Sequence, residues 1–164
     1  MAMAPHGVQP LCAEADEVAN DLLFRTGKML ETGEAHWIEN CFHLPQTVET
    51  SLGKRRLISE ACVIDVFESV RKFYETEKIT SIVRTVITAE RLAPDLIGSV
   101  HVAKLLKVGG EPYRAPFPVY SLIRKIHDRW KIASTLYAIL DSSEHNHLLF
   151  ARPADSLEEG FRQP

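Results

Sequence analysis

The spacing of apolar residues changes once along the chain, close to Ile79. Before this residue, apolar side chains recur every three or four positions, as on one face of an amphipathic helix. From Ile79 to Leu140 they are dense, β-branched and aromatic, and they favour extended strands. Helices followed by strands indicate an α+β domain with an antiparallel sheet, and they argue against a parallel sheet with alternating helices.

Three helices are predicted in the first half of the chain, over Glu14–Glu31, Glu34–Phe42 and Glu60–Glu77. Gly33 supplies a stop for the first of them. Ser59 is an N-cap residue for the third, because its hydroxyl can accept a hydrogen bond from the first turn. The third helix also has the clearest apolar stripe, which is formed by Val63, Val66, Phe67, Val70, Phe73 and Tyr74.

The extended segments are predicted as His43–Ser51 paired with Lys54–Ile58, then Ser81–Leu92, Leu96–Val108 and the hairpin Phe117–Leu140. A polar break at His127-Asp128-Arg129 divides the hairpin. If the last two residues of this break form the turn, Tyr120 faces Tyr137 across the two strands. Ile123 and Ile126 interrupt the strict alternation of this hairpin and indicate a β-bulge.

The composition is that of one globular domain with a short segment on either side. The chain has 164 residues, of which 45% are hydrophobic and 25% charged, and this length can bury a core without disulfides. Residues 1–12 are predicted as a flexible tail and residues 13–140 as the domain. Residues 141–164 form a polar C-terminal extension, in which Leu148–Phe150 could dock on the sheet or on a partner subunit.

Charge and cysteine content exclude several classes of function. The net charge of −3 and the pI near 6.2 argue against binding to nucleic acid or to an anionic membrane surface. No apolar run approaches the roughly 20 residues that span a bilayer, and Met1–Pro10 has no signal-peptide pattern. The three widely spaced cysteines, Cys12, Cys41 and Cys62, suit a reducing cytoplasm.

The order of these elements, together with three short segments, resembles a known fold. The segments are Gly33–Phe42 (GEAHWIENCF), the third helix at Phe67–Phe73, and Asp128–Ile132 (DRWKI) in the last hairpin. Over Glu14–Leu140 the chain resembles the nuclear transport factor 2-like (cystatin-like) superfamily, and within it the SnoaL-like, or ketosteroid isomerase-like, group. The resemblance implies a cone with an apolar cavity, in which three helices pack on a strongly curved, mainly antiparallel sheet. It also implies a homodimer formed through the outer surface of the sheet.

Catalysis in this group depends on carboxylates that this chain does not supply at the expected places. In ketosteroid isomerase an Asp is the general base, and a Tyr and a protonated Asp hold the oxyanion. Here Glu49 is the only carboxylate in the strand after the second helix, and Leu96–Val108 contains none. The remaining candidates for acid–base work are Glu90 and His101. The favoured interpretation of His101 is a satisfied or surface histidine on the outer face of the sheet.

Arginines and aromatic residues supply the remaining pocket candidates. Arg84 and Arg124 could each bind a ligand carboxylate through a bidentate fork. Alternatively they point outward, or pair with Glu90 across strands, and this interpretation is the favoured one. The residues predicted to line a pocket are Trp37, His43, Tyr74, Arg84, Ser99, His101, Tyr120, Trp130 and Tyr137.

No metal or cofactor is predicted. Glu144-His145-Asn146-His147 lacks a third convergent ligand and fits a solvated tail better than a zinc site, and Gly109-Gly110 does not lie between a strand and a helix as a phosphate loop would. Three hypotheses for function remain. The chain binds a small, largely apolar ligand in the cone, or it is an isomerase, dehydratase or cyclase that uses His101 or Glu90, or it is a protein-interaction module.

Overall fold

The computed structural model describes residues 11–34 and 38–139. Within these ranges the chain forms three helices and six strands, with a single 3-10 turn before the last hairpin. In chain order they are α1 (Leu11–Thr32), α2 (Ile38–Cys41), β1 (Phe42–Thr50), β2 (Gly53–Leu57), α3 (Glu60–Thr76), β3 (Ile79–Ala93), β4 (Leu96–Lys107), the 3-10 turn (Val108–Gly110), β5 (Phe117–Ile126) and β6 (Arg129–Tyr137).

The six strands form one curved sheet in the order β2-β1-β6-β5-β4-β3. Every neighbouring pair is antiparallel except β1 and β6, which run parallel. The parallel pair joins the short N-terminal hairpin to the long C-terminal meander, so the first strand completes a sheet whose other strands lie far away in sequence. The predicted α+β class with a mainly antiparallel sheet is confirmed.

The helices cover one face of the sheet, and the core lies between the helices and that face. The clearest evidence is β4, where every second residue is buried over five alternate positions. The buried side chains of α1, α3 and the sheet form a main cluster that includes Leu22, Met29, Val63, Val66, Val70, Ile97, Ile123 and Ile132. A second cluster, with Phe73, Leu105, Phe117 and Val119, closes the other end of the same layer.

The last hairpin turns one residue earlier than predicted. His127 and Asp128 form the two-residue turn, with φ of 48° and 62°, as the tight hairpin turns that match strand twist require. The predicted bulge is present in this hairpin and lies on β6, where Ala133 is the extra residue between Ile132 and Ser134, the partners of Ile123 and Leu122. The turn and this bulge together set Val119 opposite Tyr137, and the predicted pairing of Tyr120 with Tyr137 is wrong.

Two helix boundaries also differ from the prediction. The first helix begins at Leu11, inside the segment predicted as a flexible tail. The second is a single turn that ends at Cys41, because Phe42 already belongs to β1 and pairs with Ile132 of β6. Residues 1–10, Trp37 and the C-terminal extension from residue 141, with Leu148–Phe150, lie outside the described residues, and their predicted roles stay predictions.

The predicted N-cap of α3 is present and has a measurable consequence. Ser59 has extended φ and ψ, and its Oγ accepts a hydrogen bond from the backbone N–H of Cys62 at 3.3 Å. We expect Ser59→Ala to lower the free energy of unfolding by about 1 kcal/mol, because that N–H loses its acceptor. Urea denaturation measures the loss. Ser59→Asp, which restores the acceptor, should stay close to wild type, and an equal loss in both variants would contradict the capping role.

Candidate functional site

A partly enclosed cavity of about 100 Å³ lies between α1, α3 and the inner face of the sheet. Its wall is mainly apolar, with a small number of polar side chains. The apolar lining residues are Leu23, Leu30, Phe42, Val66, Phe67, Val70, Ile82, Ala103, Leu105, Phe117, Val119 and Ile132. The polar lining residues are Thr26, Tyr74, Arg84, His101, Ser121, Thr135 and Tyr137.

Strand register explains why three of these polar residues are close together. His101 pairs with Val119, and Val119 pairs with Tyr137, so one row of inner-face residues crosses β4, β5 and β6. Arg84 pairs with Ala103, two residues further along β4. Residues directly opposite each other share a face, and therefore Arg84 is a diagonal neighbour of His101 on the cavity side.

Helix α1 holds the guanidinium of Arg84 inside the molecule. Nη1 donates a hydrogen bond to Thr26 Oγ1 at 3.1 Å, and Nη2 donates one to the carbonyl oxygen of Leu23 at 2.6 Å. Gly27 leaves the space for this contact, because a Cβ atom there would lie 2.8 Å from Nη2. The interpretation that Arg84 points outward, or pairs with Glu90, is wrong. Acceptors on α1 stabilise the inward position.

Burial shifts the pKa of four titratable groups on the cavity wall. The pKa values of the Tyr74 and Tyr137 hydroxyls are raised, mainly by desolvation, and the pKa of Arg84 is lowered for the same reason. Burial, with a smaller contribution from the charge of Arg84, lowers the pKa of His101 to about 4. At neutral pH the imidazole is therefore uncharged, with one nitrogen as donor and the other as acceptor.

The structure brings four of the predicted pocket residues together on the cavity wall. They are Tyr74, Arg84, His101 and Tyr137. Ser99 is buried two residues before His101 on the same strand, but it does not line the cavity. Trp37 lies outside the described residues.

The other predicted pocket residues lie elsewhere. Tyr120 is 45% exposed on the outer face of β5. It follows Val119, which faces the cavity, and successive residues of a strand face opposite sides of the sheet. Trp130 contacts Arg91 and Lys125 near the end of the hairpin, with ring-to-cation distances of 5.7 and 5.5 Å. His43 is half-buried on β1 and does not line the cavity.

Two further candidates also lie outside the cavity. Glu90 is exposed and borders a groove on the outer face of the sheet, so the hypothesis that it is an acid–base group of the cavity is wrong. It pairs with Gly98, which precedes the inward-facing Ser99 on β4, so Glu90 and Gly98 both face outward. Arg124 is exposed on β5, as the outward interpretation predicted.

Three polar lining residues are absent from the sequence-based predictions. Thr26 lies in the buried stripe of α1, and its hydroxyl donates to the carbonyl oxygen of Leu22 at 2.8 Å while it accepts from Arg84. Ser121 and Thr135 pair directly across β5 and β6. A buried threonine in the middle of an apolar helical stripe is a signal that could have identified Thr26.

Two features of the described residues concern metal sites and membrane-spanning helices. Across residues 11–34 and 38–139, no group of three or more His, Cys, Asp or Glu side chains is placed to hold a metal ion. The segment Glu144–His147 lies outside these ranges. None of the helices in the described part of the chain combines the length and apolar character needed to cross a membrane.

Comparisons with known proteins identify a fold. No protein-family model matches the chain. No curated protein matches it either. Among solved structures, an NTF2-like protein with a cystatin-like fold from Novosphingobium aromaticivorans superposes with a TM-score of 0.61 at 14% identity, over 89% of this chain and 99% of that one.

Two further solved structures give the same result. An NTF2-like protein of unknown function from Shewanella oneidensis MR-1 has a TM-score of 0.58 at 14% identity, covering 75% of this chain and 98% of that one. A ketosteroid isomerase-like protein from Erwinia carotovora atroseptica has a TM-score of 0.57 at 11% identity, over 79% of this chain and 98% of that one. At these identities the likeness shows the fold alone.

The buried imidazole of His101 makes stability depend on pH in a predictable direction. In the unfolded chain His101 titrates at its ordinary pKa of 6.5, whereas in the folded chain its pKa is about 4. Between these values the unfolded state binds more protons, so the free energy of unfolding falls as the pH is lowered from 6.5 to 4. We expect a contribution of about 3 kcal/mol to this loss.

Urea denaturation of wild type and His101→Gln between pH 7.5 and 4 measures this contribution as the difference in slope. The glutamine variant should lose less stability on acidification, because it has no titratable group at this position. His127→Asn, in the exposed hairpin turn, is the control and should follow wild type. Parallel curves for wild type and His101→Gln would show that the imidazole is not buried in the neutral form.

Proposed function

We propose that this cystatin-like, NTF2-like chain binds a small, largely apolar molecule in the cavity, and that it binds without catalysing a reaction. The observation that carries this proposal is a largely apolar cavity whose few polar groups lie together near Arg84 and His101. Binding sites for small molecules have this composition. A closed apolar cavity of about 150 Å³ can hold benzene. The cavity here is smaller, at about 100 Å³, but it is only partly enclosed, so it suits a molecule with one small ring that extends to the opening.

Catalysis is less well supported by the groups present. None of the lining residues within the described ranges is an Asp or Glu. Of the two acid–base candidates, only His101 faces the cavity, and burial keeps its pKa near 4. A general base works best when its pKa lies close to the working pH, so the imidazole is a poor base at neutral pH. It is better suited to donate or accept one hydrogen bond.

Protein-observed NMR with methyl labelling tests binding in the cavity. Toluene, benzamide and benzoate serve as probes of similar size. We expect at least one probe to shift the methyl signals of Val70, Leu105 and Val119, which line the cavity, and to leave that of the exposed Ile58 unchanged. If none of the three probes shifts the cavity methyls at millimolar concentration, the proposal fails.

A cavity-filling variant provides the matched control for the same experiment. Ala103→Phe places a ring into the cavity from the centre of β4, and it should abolish the probe-induced shifts. Ala61→Phe, on the exposed face of α3, should leave them unchanged. Shifts that persist in Ala103→Phe would place the probe somewhere other than the cavity. Thermal denaturation of both variants establishes that each is folded.

We also propose that two copies associate through the outer face of the sheet. Val100, Tyr120 and Leu136 form one row across β4, β5 and β6 on this face. Leu122 lies in the adjacent row, and Leu92 covers Gly98 beside it. An exposed apolar patch of this kind is typical of a protein–protein interface. A second copy of the chain supplies a self-complementary surface.

Light scattering after size exclusion measures the mass of the assembly. We expect wild type to give twice the chain mass of 18.5 kDa. The double variant Tyr120→Lys with Leu122→Lys should give the monomer mass, because two charges would be buried in the interface without partners. Ile58→Lys removes an exposed apolar side chain outside the sheet and should stay dimeric. A monomeric wild type would overturn the proposed dimer.

A further inference from the structure

The cavity contains a positive charge that no lining residue balances. Arg84 is the one charged residue among the described residues that line it. Glu31 interacts with the guanidinium electrostatically, but its side chain is 65% exposed and pairs with Lys28 at 3.3 Å. An unbalanced charge at the edge of an apolar cavity is unfavourable, and a bound anion would remove this cost.

The guanidinium has donors left for such an anion. Arginine carries five N–H groups in a planar fork. The described residues accept two hydrogen bonds from it, one at Thr26 Oγ1 and one at the carbonyl oxygen of Leu23. Both acceptors are neutral and both belong to α1, so they fix the position of the fork without neutralising its charge. The remaining donors can serve a ligand.

Two neighbouring side chains add donors on the same side of the cavity. Tyr137 and His101 face the cavity from the row of residues next to Arg84. Their hydroxyl and uncharged imidazole make no hydrogen bond to another described residue. Each can donate one hydrogen bond to an oxygen atom held by the guanidinium. Val70 on α3 and Leu105, four residues from His101 on β4, offer apolar contacts elsewhere on the wall.

We propose, on the basis of the function proposed above, that the ligand is a small monocarboxylic acid with an apolar body. Its carboxylate binds the guanidinium of Arg84, and its hydrocarbon part lies against the walls formed by α3 and β4. Carboxylate oxygens match the planar fork of arginine. One positive charge balances one negative charge, so a monocarboxylate suits the site better than a phosphate dianion, which would keep an unbalanced charge in an apolar cavity.

A pair of probes with the same shape and different charge tests this inference. Benzoate and benzamide differ mainly in the group that would face Arg84. Isothermal titration at pH 7.5 gives the affinity of each for wild type. We expect benzoate to bind about 10- to 100-fold more tightly than benzamide, because only benzoate adds an ion pair with the guanidinium to the hydrogen bonds that both probes can accept. Equal affinities would overturn the inference while leaving the proposed apolar binding site in place.

Arg84→Met identifies the source of the preference, because methionine removes the charge and leaves a flexible apolar side chain. In this variant the affinities for benzoate and benzamide should become equal within about threefold, so the preference for benzoate is lost. Arg124→Met makes the same change at an exposed position on β5 and should keep the preference. A preference that persists in Arg84→Met would overturn the inference.

A measurement on the wild-type protein covers the case in which Arg84→Met does not fold. With arginine side chains labelled with ¹⁵N, benzoate should shift the guanidinium signals of Arg84 more strongly than benzamide does. Equal shifts with the two probes, or no shift with either while benzoate binds, would overturn the carboxylate inference. If neither probe binds to wild type in the titration, the inference fails, and the proposed ligand-binding function fails with it only if toluene also leaves the cavity methyl signals unshifted.

Discussion

The hydrogen bonds between Arg84 and α1 determine the polarity of the interior. Through them one strand contributes a cation to a layer that is otherwise built from aliphatic and aromatic side chains. The contact depends on two features of α1, a buried threonine hydroxyl and a glycine that leaves room for Nη2. The charge in turn lowers the pKa of His101 further than burial alone does. The chemistry of the cavity is thus fixed by a contact between helix and sheet.

Local patterns along the chain predict most of the fold. The change of hydrophobic period near Ile79, the N-cap at Ser59 and a bulge in the last hairpin are predicted from neighbouring residues, and the structure contains all three. The register of the last hairpin does not follow from such patterns, because its turn could begin at either of two adjacent polar residues. A shift of one residue exchanges the two faces of a strand. The extra residue of the bulge in β6 supplies this shift and places Val119, not Tyr120, opposite Tyr137.

The site could be predicted only in part, for a related reason. His101 and Tyr137 lie on strands in which inward-facing and outward-facing residues alternate. This pattern permits two interpretations, and a polar residue in the wall of an apolar cavity is one of them. The inward position of Arg84 is harder to predict, because a charged residue in a strand usually faces water. What overrides this tendency is a pair of acceptors on α1, 58 and 61 residues away in sequence. Contacts over such distances leave no periodic signal in one sequence.

Strands β4 and β5 serve both faces of the sheet, and this couples the constraints on their register. His101 and Val119 face the cavity, while Val100 and Tyr120, their neighbours in sequence, form part of the exposed apolar row. A shift of one residue in β5 would place Tyr120 inward and Val119 outward. It would remove an apolar wall from beside His101 and an aromatic ring from the outer face at the same time. The bulge between Ile132 and Ser134 of β6, which sets Val119 opposite Tyr137, therefore determines the composition of two surfaces that share no side chain.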